Sequence, residues 1–524
     1  MTAPPVAPAR AGAAGAPPWP RSAVVALVGA VAVGSGLAFV ARSGLWLDEA
    51  LSVSIARLPL GSITDALRQD GAPPLYYLLL HLWTAVLGTG DLAVRSLSAV
   101  CFLGTVVAVG FAGRRLAGAE VAGLAVLVFA TSPYALRYAT EARMYSLVML
   151  IVTGGILAFL RAWARPTAGR LATFAVLVAL ALYTQYWCFY LVGTVGALLL
   201  GAWWRDRAAP APRRLLAATV IGGLAFVPWL PVFLWQAAHT GTPWGTPVLP
   251  PLPVAYTVRD FAGGSPLELD LQEGWTLFLV IVPLLLLGVF GFGEAARRTI
   301  LDPGGRPGAR VLGAVGAVTL VGGAATSYLG GQAFQTRYAA VVYPFAALLV
   351  ARGIATFADR RILCVIAAVV AGLGLVGGAR NSVTERTQAG AVARVLRTDA
   401  RPGDLVVLCP DQLGPGVARR APSGVRIVTF PDFAAPERVD WVDYQERVDA
   451  ADVERFAARA VRSAGAGTIW DVSSDDYDTH GDKCRRLGEA LARRSGRSRI
   501  ARVVPDPYVF EAMGLIEIPP RTGR

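Results

Sequence analysis

The chain has 524 residues, of which 54% are hydrophobic and 16% charged, and its mean hydropathy is +0.50. Because soluble domains carry about 25% charged residues, this composition excludes a string of soluble domains. The formal net charge of +13 would suit a nucleic-acid-binding protein. However, the basic residues stand in short clusters between apolar runs, which is typical of membrane topology. We therefore expect a polytopic membrane protein that binds no nucleic acid.

The first apolar run follows a short tail. Residues 1–21 are rich in alanine and proline and predict a disordered cytoplasmic tail. Residues 22–41 are long enough to span a bilayer, and no convincing cleavage site follows them, which favours a membrane helix over a signal peptide. Ten further apolar runs bring the prediction to about eleven transmembrane helices: 94–113, 119–135, 146–163, 170–187, 188–204, 215–235, 275–293, 311–329, 338–352 and 362–379.

The apolar segment Pro73–Leu87 decides the predicted topology. If it does not span the membrane, the arginine clusters at 114–115, 161–170 and 360–361 all fall on the same face as the N-terminal tail. Positive residues are retained on the cytoplasmic side of a membrane. The segment is therefore predicted to be an interfacial helix inside a first outer loop, residues 42–93, and the later part of the chain is predicted to lie outside the cytoplasm.

Composition changes after about residue 380. Residues 22–380 form the predicted membrane domain, and residues 381–524 carry charged helices alternating with short apolar strands, which predicts an extracytoplasmic α/β domain. The predicted strands are 404–410, 425–430 and 468–472, and the predicted helices are 442–461 and 481–494. Cys409 and Cys484 lie in this domain, where a disulfide and two free thiols fit the sequence equally well.

The sharpest chemical feature is the sequence Trp46-Leu47-Asp48-Glu49, just beyond the first predicted span. Two adjacent carboxylates facing hydrocarbon are costly, about 2.5–3.5 kcal/mol each at the membrane centre, so we expect them in a polar environment. One interpretation is that they stabilise the N-terminus of a following helix. The other is that a partly buried carboxylate here acts as a general base.

Further polar and aromatic residues fall on the predicted outer face. Arginines at that boundary suit an anionic group such as a phosphate, although lipid contact explains them as well. His81 is expected to be interfacial rather than catalytic. The candidates are Asp70, Tyr76, Tyr77 and His81 in the first loop, Arg137, Glu141 and Arg143 in the second, and Arg337 and Tyr338 in a later link.

Together these features resemble the GT-C superfamily of membrane glycosyltransferases, and in particular its family 39-like bacterial branch, akin to protein O-mannosyltransferases and the aminoarabinose transferase of lipid A. The resemblance covers about residues 22–380. It consists of one span followed by the Asp48-Glu49 pair, a Pro-Pro-Leu-Tyr-Tyr helix at 73–77, an acid and an arginine at Glu141 and Arg143, and the Arg337-Tyr338 pair.

The resemblance implies transfer of a sugar from a polyprenyl-phosphate donor to an acceptor hydroxyl at the outer face of the cytoplasmic membrane, with inversion. It assigns the base to Asp48 and makes Glu49 and Glu141 candidate catalytic acids, while the arginines, Tyr338 and the first-loop residues above are candidates for binding substrate and phosphate. The acceptor is a protein, glycolipid or wall polysaccharide. A divalent metal at Asp48 and Glu49 is left open, and the alternatives are a lipid-linked-substrate transporter or a non-enzymatic scaffold.

Overall fold

The structure is a computed structural model that describes residues 19–242, 245–263, 272–295, 298–301 and 307–519. Residues 1–18 of the predicted tail lie outside this described part. Within it, six helices are long and apolar enough to cross a membrane: Asp91–Ala117, Tyr145–Ala164, Cys188–Arg205, Pro210–His239 (a break near Val227 divides it into Pro210–Leu224 and Leu230–His239), Pro307–Leu329 and Arg360–Val383.

A seventh candidate span is a bent pair of helices, Ala119–Ala130 and Pro133–Ala139, which meet at 58°. Shorter apolar helices fall on the four remaining predicted spans, at Arg21–Leu37, Ala168–Thr184, Gln272–Phe290 and Tyr343–Ile354. The polytopic helical architecture is thus confirmed, and the count of eleven spans stays a prediction. An antiparallel pair of strands, Phe292–Ala295 and Arg298–Leu301, had no counterpart in the sequence prediction.

The described residues form two compact units. The first, called here the membrane unit, comprises the described residues within Met1–Ala41, Arg95–Pro231 and Pro247–Ser382. The second, called the loop-and-tail unit, comprises the described residues within Arg42–Val94, Val232–Thr246 and Val383–Arg524. The first loop therefore packs with the C-terminal residues in one unit, a grouping that a division by composition does not reveal.

Close helix packing in the membrane unit depends on glycine. Gly288 lies against the backbone oxygen of Leu349, and Gly353 lies against the backbone oxygen of Leu284 on the facing helix. A methyl group at either glycine would overlap with the neighbouring backbone. Small residues at such crossings let helices approach closely where no hydrophobic effect drives their association.

Within the loop-and-tail unit, the first loop folds as three helices, Leu47–Ala56, Leu60–Asp70 and Leu75–Leu87. The third coincides with the predicted interfacial helix. The C-terminal residues form a sheet whose described strands run in the order Arg426–Thr429, Leu405–Cys409, Ile469–Ser473, Gly514–Ile518 and Ile500–Val503. The first three of these strands are parallel, and the last two pair antiparallel.

Helices cover both faces of this sheet. Ala389–Asp399 packs on one face, and Val453–Ala464 and Lys483–Ser495 pack on the other. Cys409, at the end of a central strand, forms a disulfide with Cys484 on a covering helix. Of the two interpretations that the sequence allowed, the structure contains the disulfide.

The prediction of one helix over 442–461 was wrong. The structure has two helices there, Tyr444–Ala450 and Val453–Ala464. Asp452 separates them because its side chain accepts a hydrogen bond from the backbone N–H of Arg455 at 3.0 Å and so begins a new helix.

Candidate functional site

The acidic pair lies in the first turn of the Leu47–Ala56 helix. Consecutive helical residues point about 100° apart, so the two carboxylates have different surroundings: Asp48 is half-buried, and Glu49 is fully buried. Negatively charged side chains in the first turn of a helix are stabilised by the positive end of the helix dipole, and both acids occupy that turn. The structure is therefore compatible with both interpretations of the pair, since a first-turn position does not prevent Asp48 from accepting a proton.

The N-terminus of this helix is held by residues from the far end of the chain. The N-cap residue, Trp46, contributes no side-chain cap. Instead, the carboxylate of Glu511 accepts a hydrogen bond from the Leu47 backbone N–H at 3.1 Å. The Trp46 ring packs edge-on against Phe510, with ring centroids 4.9 Å apart. Sequence reasoning missed Glu511, because nothing in its neighbourhood marks it as a partner of a helix 464 residues away.

The other first-loop candidates join the three loop helices to one another. The Tyr77 hydroxyl donates to Asp70 Oδ2 at 2.7 Å. Nδ1 of His81 lies 2.7 Å from the backbone oxygen of Ala56, at the C-terminal end of the acidic helix. Tyr76 is buried and packs edge-on against Tyr77, at 6.1 Å between centroids. The structure thus brings Asp70, Tyr76 and Tyr77 together and places His81 at the far end of the helix that carries Asp48.

In the membrane unit, Arg137 and Glu141 form a buried ion pair. Arg137 Nη1 lies 3.3 Å from Glu141 Oε2, and the two side chains are only 8% and 2% exposed. Tyr138 lies between them in sequence and packs against Tyr134 and Tyr145, at 4.8 Å to each ring. The charge of Glu141 is therefore balanced by the guanidinium of Arg137.

The second pair of candidate arginines belongs to the same unit. Arg143 is half-buried, and its backbone oxygen accepts a hydrogen bond from Ser98 Oγ at 3.2 Å. The guanidinium of Arg337 lies 5.9 Å from the ring centroid of Tyr338, which packs in turn on Trp187. A guanidinium at this distance from a ring face is within reach of a cation–π interaction.

One further residue of the membrane unit was missed by the sequence reasoning. Asp260 is 1% exposed and lies 3.2 Å from Arg259 on the Pro251–Gly263 helix. The next residue, Phe261, packs against Tyr134 at 4.9 Å. An Arg-Asp pair in an otherwise mostly apolar segment was the available signal, since burying a charged group is costly unless it is paired.

The candidates divide between the two units. The loop-and-tail unit contains the first-loop candidates Asp48, Glu49, Asp70, Tyr76, Tyr77 and His81. The membrane unit contains Arg137, Glu141, Arg143, Arg337 and Tyr338. Each set is organised within its own unit by the contacts above.

A buried polar network lies in the C-terminal sheet domain. The Tyr444 hydroxyl donates to Asp411 and lies 2.9 Å from His480 Nε2. Burial raises the pKa of Asp411 to about 7, and burial lowers the pKa of His480 to about 4. Together with Cys409 and Cys484, His480 forms the one cluster of at least three metal-ligand side chains found in the described residues, and there the two sulfurs are bonded to each other.

The comparisons with known proteins agree with this architecture. Residues 71–235 match the dolichyl-phosphate-mannose-protein mannosyltransferase family. No curated protein matches the chain by sequence.

Among solved structures, ArnT from Cupriavidus metallidurans bound to undecaprenyl phosphate superposes with a TM-score of 0.58 at 15% identity, covering 94% of this chain and 97% of that one. Its apo state gives 0.59 at the same identity and coverage. The Archaeoglobus fulgidus oligosaccharyltransferase in complex with Zn and sulfate gives 0.51 at 12% identity, covering 91% of this chain and 71% of the other. At these identities the likeness establishes the fold. The fold and the family match over residues 71–235 agree with the resemblance found in the sequence.

Proposed function

We propose that the chain transfers a sugar from a polyprenyl-phosphate donor to an acceptor hydroxyl, with inversion at the anomeric carbon and with Asp48 as the base. The observation that carries the proposal is the half-buried Asp48 at the start of a fixed helix in a chain of GT-C fold. The matched family is named for a lipid-phosphate-linked mannose donor, and the ArnT structure is of a protein bound to undecaprenyl phosphate. Both support a donor of this class.

The reaction follows from these groups. Asp48 accepts the proton of the acceptor hydroxyl as its oxygen attacks the anomeric carbon. The bond between that carbon and the donor phosphate oxygen breaks, and polyprenyl phosphate leaves with the electron pair. A positioned base contributes roughly 10²–10⁴ in rate. Arg143 and Arg337, with Arg137, stabilise the charge on the leaving phosphate.

Asp48 is a better candidate for the base than Glu141. The carboxylate of Glu141 is ion-paired with Arg137 and almost wholly buried. A carboxylate paired with an arginine favours its charged form and accepts a proton poorly. We therefore include Glu141 in the proposal as the residue that fixes Arg137. The remaining first-loop candidates hold the loop helices in place around the acceptor and sugar: Glu49, Asp70, Tyr76, Tyr77 and His81.

We place this reaction at the outer face of the cytoplasmic membrane, on the same side as the C-terminal domain. The support is the positive-inside pattern of the sequence, in which the arginine clusters between spans share the face of the N-terminal tail. The acceptor is a protein, glycolipid or wall polysaccharide.

The proposal is tested with the full-length protein in detergent or nanodiscs, radiolabelled polyprenyl-phosphate sugars and a cell-envelope extract as acceptor. Wild type is expected to transfer label, and Asp48→Asn is expected to lose about 10²–10⁴-fold in kcat with unchanged thermal unfolding. Asp65→Asn is the matched control, since Asp65 is an exposed aspartate of the same loop. Turnover by Asp48→Asn at the level of this control would refute the role of Asp48, and failure of wild type with every donor would refute the reaction.

A further inference from the structure

We propose that Glu511 is a positioning residue for Asp48, through which the C-terminal domain fixes the helix that carries the base. This inference rests on the proposed function and gives the C-terminal domain a part in it. Glu511 lies in the same unit as Asp48, and every contact used below lies within that unit.

The first contact is at the N-terminus of the acidic helix. The first backbone N–H groups of any helix have no partner inside it. Here the Leu47 N–H, one residue before Asp48, donates to Glu511 Oε1 at 3.1 Å, and that bond is buried. Glu511 therefore acts as the side-chain cap that Trp46, at the N-cap position, does not provide. A cap of this kind stabilises the helix end.

Glu511 itself is held by its backbone on both sides. The backbone N–H of Glu511 donates to the backbone oxygen of Arg386 at 3.0 Å. The backbone oxygen of Glu511 accepts from the backbone N–H of Gln388 at 3.1 Å. The N–H of Arg386 donates to Ser43 Oγ at 2.8 Å. The segment at 386–388 is thus hydrogen-bonded both to the backbone of Glu511 and to Ser43, in the loop just before the acidic helix.

Packing supports the same placement. Trp46 and Leu47 are buried in a cluster with Val439 and Trp441 of the C-terminal domain, and Phe510 packs against this cluster. Gly416 of the C-terminal domain also packs close to the backbone of Leu45: a Cβ at Gly416 would be in ordinary van der Waals contact with the Leu45 backbone oxygen. The residues on either side of the Glu511 hydrogen bond therefore have little freedom to move the helix end.

The charge state of Glu511 suits this role. Burial raises its pKa to about 8, and the nearby Asp48 carboxylate adds to the rise, whereas hydrogen bonds from Thr387, Leu47 and Tyr477 act against it. At neutral pH Glu511 is therefore mostly protonated. It holds the helix as a neutral acceptor. A glutamine, which is neutral and has the same length, should serve in its place.

The test compares Glu511→Gln, which keeps an acceptor oxygen, with Glu511→Met, which keeps the side-chain length and removes the acceptor. Glu454→Gln is the control, because Glu454 is an exposed carboxylate of the same domain that pairs with Arg493 and Arg494. Two readouts are measured: hydrogen–deuterium exchange of a peptide covering residues 44–52, and kcat and KM for the lipid-linked donor.

We expect faster exchange in this peptide for Glu511→Met, with kcat reduced by about 10–10²-fold and KM for the donor within about twofold of wild type. Glu511→Gln and Glu454→Gln should match wild type in both readouts. If Glu511→Met does not accumulate as folded protein, Glu511→Asp, which withdraws the carboxylate by one methylene, should show the same changes with smaller amplitude.

Unchanged exchange in the methionine or aspartate variant, or equal losses in the glutamine and methionine variants, would overturn the assignment. Failure of the proposed function is seen separately. A wild-type protein that transfers no sugar would refute the reaction, while the exchange measurement would still decide whether Glu511 holds the helix.

Discussion

Two segments of the molecule carry candidate acids, and they are built differently. Around Asp48, the helix end is fixed from outside by Glu511 and Phe510, and the Asp48 carboxylate stays half-buried. Around Glu141, the acid forms an ion pair with Arg137, one helical turn away in sequence, and is almost wholly buried.

The difference indicates that the two acids have different roles. An ion-paired, enclosed carboxylate stabilises structure and places a guanidinium, because its charge is already compensated. A half-buried carboxylate in the first turn of a helix whose end is fixed from outside keeps part of its surface exposed to a substrate. The predictions below test this contrast between Asp48 and Glu141.

The largest expected effect is from breaking the Arg137–Glu141 pair. Glu141→Gln leaves the buried guanidinium of Arg137 without its counter-charge and should destabilise the protein by about 3–5 kcal/mol. Thermal unfolding in detergent measures this. The double variant Arg137→Met with Glu141→Gln removes both charges and should recover most of the lost stability. A double variant no more stable than Glu141→Gln would show that the pair does not account for the burial of Glu141.

A smaller effect is expected at Asp471, on a central strand of the C-terminal sheet. Burial raises its pKa to about 7 from an ordinary value near 3.8, partly offset by Arg499. The folded state therefore binds the proton of Asp471 more tightly than the unfolded state does. The stabilisation that this proton gives the folded state is fully present below about pH 3.8 and is lost as pH rises through 7.

Asp471→Asn imitates the protonated side chain. It should leave the free energy of unfolding nearly unchanged at pH 4 and raise it at pH 8 by up to about 4 kcal/mol, with a corresponding rise in the unfolding temperature. Scanning calorimetry or fluorescence-detected unfolding at the two pH values measures this. An equal effect at both pH values would mean that the charge of Asp471 does not titrate with folding.

The smallest effect is expected for the partly exposed ion pairs of Asp91. Its carboxylate pairs with Arg419 at 3.1 Å and with Arg420, both in the C-terminal domain. Since solvent screens such pairs, Asp91→Asn should cost below about 1 kcal/mol. The loss should shrink further at high salt, which thermal unfolding at two ionic strengths tests. A salt-independent loss of several kcal/mol would show that the contact is more than a screened pair.

The sequence predicted much of the fold for physical reasons that are local. The strand Leu405–Cys409 is buried at all five positions, and so its apolar run was recognisable. The strand Ile500–Val503 is mostly exposed at the sheet edge and carries Arg502, so it lacks the apolar alternation by which strands are predicted. The antiparallel strand Gly514–Ile518 was missed with it.

The candidate site divides in the same way. Asp48 was predictable because an acid just after a membrane span is costly and therefore conspicuous. The role of Glu511 was not, because it depends on a contact between residues 464 positions apart. Likewise, the Arg137–Glu141 pair has helical i,i+4 spacing in the sequence, but only the structure gives its burial.

The central claim is that Asp48, and not Glu141, is the base of the sugar transfer. The most direct measurement is kcat for a radiolabelled polyprenyl-phosphate sugar, determined side by side for Asp48→Asn and for the Arg137→Met, Glu141→Gln double variant, each shown to be folded. We expect Asp48→Asn to lose at least about 10²-fold and the double variant, which also lacks one candidate phosphate contact, to lose clearly less. The reverse order, with Asp48→Asn the more active of the two, would contradict the account.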